Sequence, residues 1–193
     1  MDLKTFSYLI NSDLYRITGK KSFLLLVRHI LLGQSYQYIF WMRFLDLISN
    51  KPILKFFFYL PTRIILRHYS YKLGISIPSQ TKIGSGFYIG HFGQIVVTGN
   101  AVIGKNCNLS QGVTIGKANR GKNMGFPSLG NNVYIGPGAK IIGAVKIGNN
   151  VAIGANCVVT KDIPDNSVVV GIPGKVISSK GSIGYINRTD YDS

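Results

Sequence analysis

A branched aliphatic side chain recurs every six residues through the second half of this chain, and that period restricts it to few folds. Ile77, Ile83, Ile89 and Ile95 hold the first register, which slips by two residues and resumes at Val97, Ile103, Leu109 and Ile115. After an insertion it returns at Leu129, Ile135, Ile141, Ile147, Ile153 and Val159. A glycine follows many of these positions, as in Ile83-Gly84, Ile103-Gly104 and Ile153-Gly154. A short fixed period is the mark of a solenoid, and six residues suit a parallel β-helix. Each rung makes one flat side, three rungs close a triangular turn, and the aliphatic residue points inward onto its equivalent one turn away. The small residue after it relieves the corner. The fold class is therefore mainly β. A second slot, two residues before the aliphatic one, holds Ala101, Cys107, Val113, Val133, Ala139, Val145, Val151 and Cys157. Both cysteines occupy this small interior slot, so two buried free thiols in a reducing compartment are expected rather than a disulfide.

Residues 1–73 carry no six-residue register and read as a helical region. Ser22–Gly33 and Tyr36–Ser49 are apolar with charges at helical spacing, and a further helix spans Ile53–Tyr69, with Pro61 expected to kink or break it. Phe40, Trp41, Phe44, Phe56, Phe57, Phe58 and Tyr59 lie among Arg43, Lys51, Lys55, Arg63 and Arg67. No uncharged run reaches the roughly 18 residues of a membrane span. The pattern suits a peripheral contact with an anionic membrane, or packing against a second subunit. Residues 74–177 form the repeat domain, interrupted by a basic, glycine-rich loop at 117–128 that must leave the coil. Residues 178–193 read as a poorly ordered polar tail. Met1–Lys21 is too polar for a secretory leader, so a cytoplasmic location is expected.

Lysine and arginine number 22 against 7 aspartates, with no glutamate, for a net charge of +15. Such a surface attracts anionic ligands. The repeats offer no basic helix, finger spacing or base-stacking platform, so nucleic acid is not an expected partner. No carboxylate side chain lies between Asp46 and Asp162, while one histidine, His91, sits inside the repeats.

The rungs, the loop and the sequences Val158-Val-Thr-Lys-Asp-Ile-Pro164 and Gly171-Ile-Pro-Gly-Lys-Val-Ile177 together resemble the hexapeptide-repeat acyltransferases. Within them the chain is most similar to the serine O-acetyltransferase-like branch, including acetyltransferases of capsule and exopolysaccharide synthesis. The resemblance spans about residues 74–177. It implies a left-handed β-helix, a homotrimer and acetyl-CoA bound along the groove between neighbouring coils, with no metal. His91 falls on the family's catalytic histidine, where an imidazole takes the acceptor hydroxyl's proton as it attacks the thioester. The resemblance places coenzyme contacts at Gly116, Lys117, Pro137, Ala155, Lys161 and Lys175, the last two facing the nucleotide phosphates.

The departures matter too. The aspartate that serine acetyltransferases place fifteen residues before the histidine is Ser76 here, and the one immediately before it is Gly90. Their Arg-His beyond the loop is Gly125-Phe126, and an acidic position is Gly99. A coil without carboxylates lacks an acidic pocket for an amino group, unless Asp13 or Asp46 reaches in from the helices. The expected acceptor is therefore a sugar or polysaccharide-precursor hydroxyl, bordered by Ser76, Tyr88, Phe92, Gln94, Asn100 and Phe126. Ser76 or a backbone carbonyl is expected to orient His91. The alternatives are a serine O-acetyltransferase of cysteine synthesis and a non-catalytic coil that serves assembly. A zinc enzyme on the same coil needs about three histidine ligands per site, and His91 alone does not supply them.

Overall fold

The computed structural model describes residues 1–192. Four helices precede the coil: α1 (Leu3–Thr18), α2 (Phe23–Leu32), α3 (Gln34–Ser49) and α4 (Pro52–Leu73). The Asp2 carboxylate caps α1 by accepting from the Thr5 N–H at 2.7 Å. Pro61 does not break α4, which runs through it. Its ring is exposed at the helix surface, and the tertiary packing of the helix on α3 outweighs the local cost.

The chain then winds through three parallel sheets. The first stacks β1 (Ile75–Ser76), β4 (Ile95–Val97), β7 (Thr114–Gly116), β10 (Lys140–Ile142) and β13 (Val158–Val159). The second stacks β2 (Lys82–Ile83), β5 (Val102–Ile103), β8 (Ser128–Leu129) and β11 (Lys146–Ile147). The third stacks β3 (Tyr88–Ile89), β6 (Asn108–Leu109), β9 (Tyr134–Ile135), β12 (Ala152–Ile153) and β14 (Val168–Val170), and closes with antiparallel β15 (Lys175–Ser178). Each strand holds only two to four residues because the backbone must turn at every corner. Like sits on like through the stack: Ile89 faces Leu109, which faces Ile135, and Ile115 faces Ile141. These side chains are almost wholly buried, as are Cys107 and Cys157, both free. Burial pushes the Cys107 thiol up to about 12.

The helices cap the first turn of the coil with buried polar bonds. Asp13, with no exposed surface, pairs with Arg43 at 2.5 Å and accepts the Phe87 N–H at 2.8 Å. Burial pushes its carboxyl upward while Arg43 pulls it down. Arg43 also donates to the carbonyls of Ile83 and Gly84. Arg16 spreads its guanidinium over Gly86 O, Asn108 Oδ1 and Asn187 O. Tyr38 both donates to Ile77 O and accepts from Ile77 N, each at 2.8 Å. The apolar core runs from Ile39, Met42 and Leu66 of the helices into the coil without a break.

The corner between the second and third sheets carries an asparagine ladder. Asn106, Asn132, Asn150 and Asn166 all lie in the left-handed region at φ 54–58°. That conformation is one that asparagine tolerates better than most side chains. Each amide donates to the next, Asn106 to Asn132, Asn132 to Asn150 and Asn150 to Asn166, at 2.9–3.0 Å. Against this edge lies the segment after β15, which differs from the loose tail expected of it. Ser182 bonds Asn132 O, Tyr185 stacks on Tyr134 with centroids 4.5 Å apart, and buried Tyr191 bonds both Ser85 and Asn106. Its polar composition disguised it, because the two tyrosines and the exposed ladder amides provide its docking surface.

Candidate active site

His91 lies on the corner between β3 and β4, and this corner is wider than those stacked on it. From Ile89 to Val97 the chain takes eight residues, whereas Leu109–Ile115, Ile135–Ile141 and Ile153–Val159 take six. Ile95 and Val97 are consequently both inward on one strand, with exposures of 0% and 2%. The two extra residues bulge outward as Gly90-His91-Phe92-Gly93-Gln94. Gly93 at φ 112° and Gln94 at φ 52° make the return. The bulge is seated under the end of α4. A Cβ on Gly74, the αL cap of that helix, would stand 3.0 Å from Gln94 N, so the close approach requires glycine. The repeat slip and the exposed histidine are thus one structural feature.

Within the described residues the His91 ring makes no hydrogen bond, and its side chain is exposed. This corrects the expectation that Ser76 or a backbone carbonyl orients it. Ser76 is on β1 opposite Val96 and points away from the bulge corner, into a cavity of about 480 Å³ shared with Arg63, Arg67 and Ser70.

The remaining candidate residues divide between two edges of the triangular coil. Pro137 and Ala155 occupy the His91 edge, one layer after another: Gly93 O accepts from Gly112, Gln111 O from Gly138, and Pro137 O from Asn156. With layers about 4.8 Å apart, Ala155 stands about 14 Å along the axis from His91. Gly116, Lys117, Asn100, Phe126 and Lys161 lie on the next edge, across the first sheet. There the insertion folds into a short hairpin with Ala118 and Gly125 bridged. It laps over two layers, with Asn123 donating to Thr160 O at 2.7 Å, and the Lys117 ammonium sits 5.5 Å from the Phe126 ring centroid. Lys175 is on β15 at the far end of the third sheet, with its side chain exposed. Phe92 and Gln94 stay with His91, while Tyr88 faces the helices, where the Arg16 guanidinium carbon is 6.0 Å from its ring centroid.

Two groups near the histidine were missed in the sequence. Lys140, on the outer face of the first sheet, reaches back to Gly112 O on the His91 edge; its place directly after the small slot residue Ala139 was the available signal. The α2–α3 junction, including His29, Gly33, Gln34 and Tyr36, joins Tyr88, Ile89 and Gly90 around a cavity of about 340 Å³. Only tertiary packing brings His29 there. The chemistry available is therefore an exposed base, a neutral pocket beside it, and a basic loop one edge away. Among the described residues, no three histidine, cysteine or acidic side chains gather as a metal site.

Comparison with known proteins follows this geometry. The bacterial transferase hexapeptide family (six repeats) matches residues 126–161. A serine acetyltransferase of Synechococcus elongatus is 42% identical over 118 residues, covering 61% of this chain and 48% of the relative. One of Staphylococcus epidermidis is 39% identical over 123 residues, covering 64% of this chain and 58% of the relative. The chain thus spans about half the length of the curated relatives it matches. Among solved structures, Neisseria gonorrhoeae serine acetyltransferase in complex with serine superposes with a TM-score of 0.69 at 25% identity, covering 91% of this chain and 70% of that one. Serine acetyltransferase from Brucella abortus in complex with coenzyme A gives a TM-score of 0.76 at 24% identity, covering 93% and 70%. The coil is the left-handed parallel β-helix of these structures, preceded by helices as in them. Residues 126–161 thus carry the hexapeptide-family match, and the chain as a whole is similar to serine acetyltransferases.

These relatives overturn the expectation of a sugar hydroxyl as acceptor. Relatives 39–42% identical over 118–123 residues are named serine acetyltransferases, and none of the comparisons above points to capsule or exopolysaccharide synthesis. The inference failed because it treated the absence of a carboxylate from one coil as the absence of a binding site. An ammonium needs acceptors, which hydroxyls, amide oxygens and carbonyls also provide.

Proposed function

We propose that this protein transfers an acetyl group from acetyl-CoA to the hydroxyl of serine, with His91 as general base. The observation that carries the reading is the two-residue bulge, which holds one imidazole out at a corner of a coil whose chain is similar to serine acetyltransferases. His91 takes the serine hydroxyl proton as the oxygen attacks the thioester carbonyl. The tetrahedral oxyanion then collapses, expelling the coenzyme thiolate, which regains the proton from the imidazolium. Gln94 supplies a neutral acceptor for the serine ammonium, in place of the aspartates at the positions of Ser76 and Gly90. Lys140 places a cation one layer from the reacting centre.

The division of sites between two edges supports a ring of three copies. Pro137 and Ala155 share an edge with His91, and Lys117 and Lys161 share the next. One coenzyme touches both sets where the loop edge of one copy lies against the histidine edge of its neighbour. A three-sided coil closes such a head-to-tail contact after three copies. Static light scattering on the full chain then reads three times the chain mass.

The deciding measurement is thiol release from acetyl-CoA with and without L-serine. Serine-dependent release is expected, and His91→Ala is expected to lower kcat by about 10²–10⁴-fold. Unchanged turnover in His91→Ala would refute the assignment of the base. Release that ignores serine would refute the acceptor.

A further inference from the structure

Helices α2 and α4 each expose apolar side chains that none of the described residues covers. On α4, Ile53, Phe57, Leu60 and Ile64 are 74, 64, 66 and 60% exposed. Their spacing of four, three and four residues puts them on one stripe. The opposite stripe, through Thr62, Leu66 and Leu73, is buried against the rest of the protein. No residue of α2 is buried, and its Phe23 and Leu24 are 80 and 78% exposed. The exposed apolar row on α4 marks a binding face.

The charges on these helices indicate what binds. Neither helix contains an acidic residue; Arg28, Lys55, Arg63, Arg67 and Lys72 are their only Lys, Arg, Asp or Glu residues. A second copy of the chain is a poor match. Of its seven acids, Asp13 is buried against Arg43, Asp2 is taken up capping α1, Asp46 is half-buried on α3 in a cavity it shares with Arg43 and Lys82, Asp162 and Asp165 lie at the far end of the coil, and Asp190 and Asp192 lie in the segment beside α1. A two-fold contact through this face would set Arg63 and Arg67 near their own copies. An anionic lipid surface satisfies both features, with acyl chains for the ridge and phosphates for the guanidinium groups. None of the described helices is long and apolar enough to cross a membrane, so the contact is parallel to the surface.

We propose that the exposed face of α4 binds the surface of a bilayer containing anionic lipids, with Phe57, Leu60 and Ile64 entering the acyl boundary and Arg63 and Arg67 at the phosphates. The inference is independent of the acceptor assigned above.

The test is flotation of the full chain with phosphatidylcholine vesicles, with or without phosphatidylglycerol. The chain is expected to float with the mixed vesicles and to be released by salt. Arg63→Gln/Arg67→Gln is expected to weaken binding about 25-fold, at about fivefold per cation. Phe57→Ser and Leu60→Ser each weaken it by about tenfold or more. All four positions are exposed, so the variants are expected to keep the parent's melting temperature. Failure of the full chain to float with either vesicle overturns the proposal. Serine variants that lower the molar mass by light scattering yet float like the parent also overturn it, and assign the face to contact between copies.

Discussion

Replacing Asp13 with alanine tests whether the helical region is locked to the coil by one buried ion pair. The carboxylate holds Arg43 through both oxygens, at 2.5 and 3.2 Å, and accepts the Phe87 N–H at 2.8 Å. Asp13→Ala leaves a guanidinium that is 5% exposed with only the Ile83 and Gly84 carbonyls, and strips the partner from a buried amide. Removing one member of a buried pair costs about 3–5 kcal/mol, chiefly because the other charge remains buried. The lost amide bond lies within this figure, since both effects follow from the same deletion. Phe87 stands four residues before His91, so the loss also loosens the strand that enters the bulge. Urea unfolding followed by circular dichroism should show the midpoint falling at unchanged slope. Arg43→Met in the Asp13→Ala background removes the stranded charge and should restore much of the loss. A single mutant within about 0.5 kcal/mol of the parent, or a double mutant as unstable as the sum of both singles, would refute the reasoning.

Two further perturbations probe the coil. Asn132→Ala removes a rung of the amide ladder at φ 56° and forces a β-carbon without a compensating bond into the left-handed region. It should cost about 1–2 kcal/mol more than Asn132→Gly, which loses the bonds but not the conformation, read by urea midpoints. The thiols of Cys107 and Cys157 have no exposed surface, and burial raises both above the ordinary thiol range. Neither should react with a thiol-specific chromogen at neutral pH until denaturant is added, when two equivalents should appear; prompt reaction in buffer would contradict the burial.

The sequence alone determined the coil, because a six-residue period with one aliphatic slot and one small slot allows little else to be buried. It also marked His91, since the register slip between Ile89 and Val97 is the bulge that exposes the ring. It could not tell which candidate residues share an edge. Lys117 and Pro137 are 20 residues apart and look alike in a linear motif, yet the winding puts one on the loop edge and the other on the histidine edge. Nor could composition show that residues 178–192 dock. Tyr191 has value as an anchor only where Ser85 and Asn106 have been folded beside it. Periodicity is local information carried by each rung. Edges, caps and docking surfaces depend on contacts between residues far apart in the chain, such as Asp13 with Phe87 and Arg16 with Asn187, and only the tertiary structure supplies those.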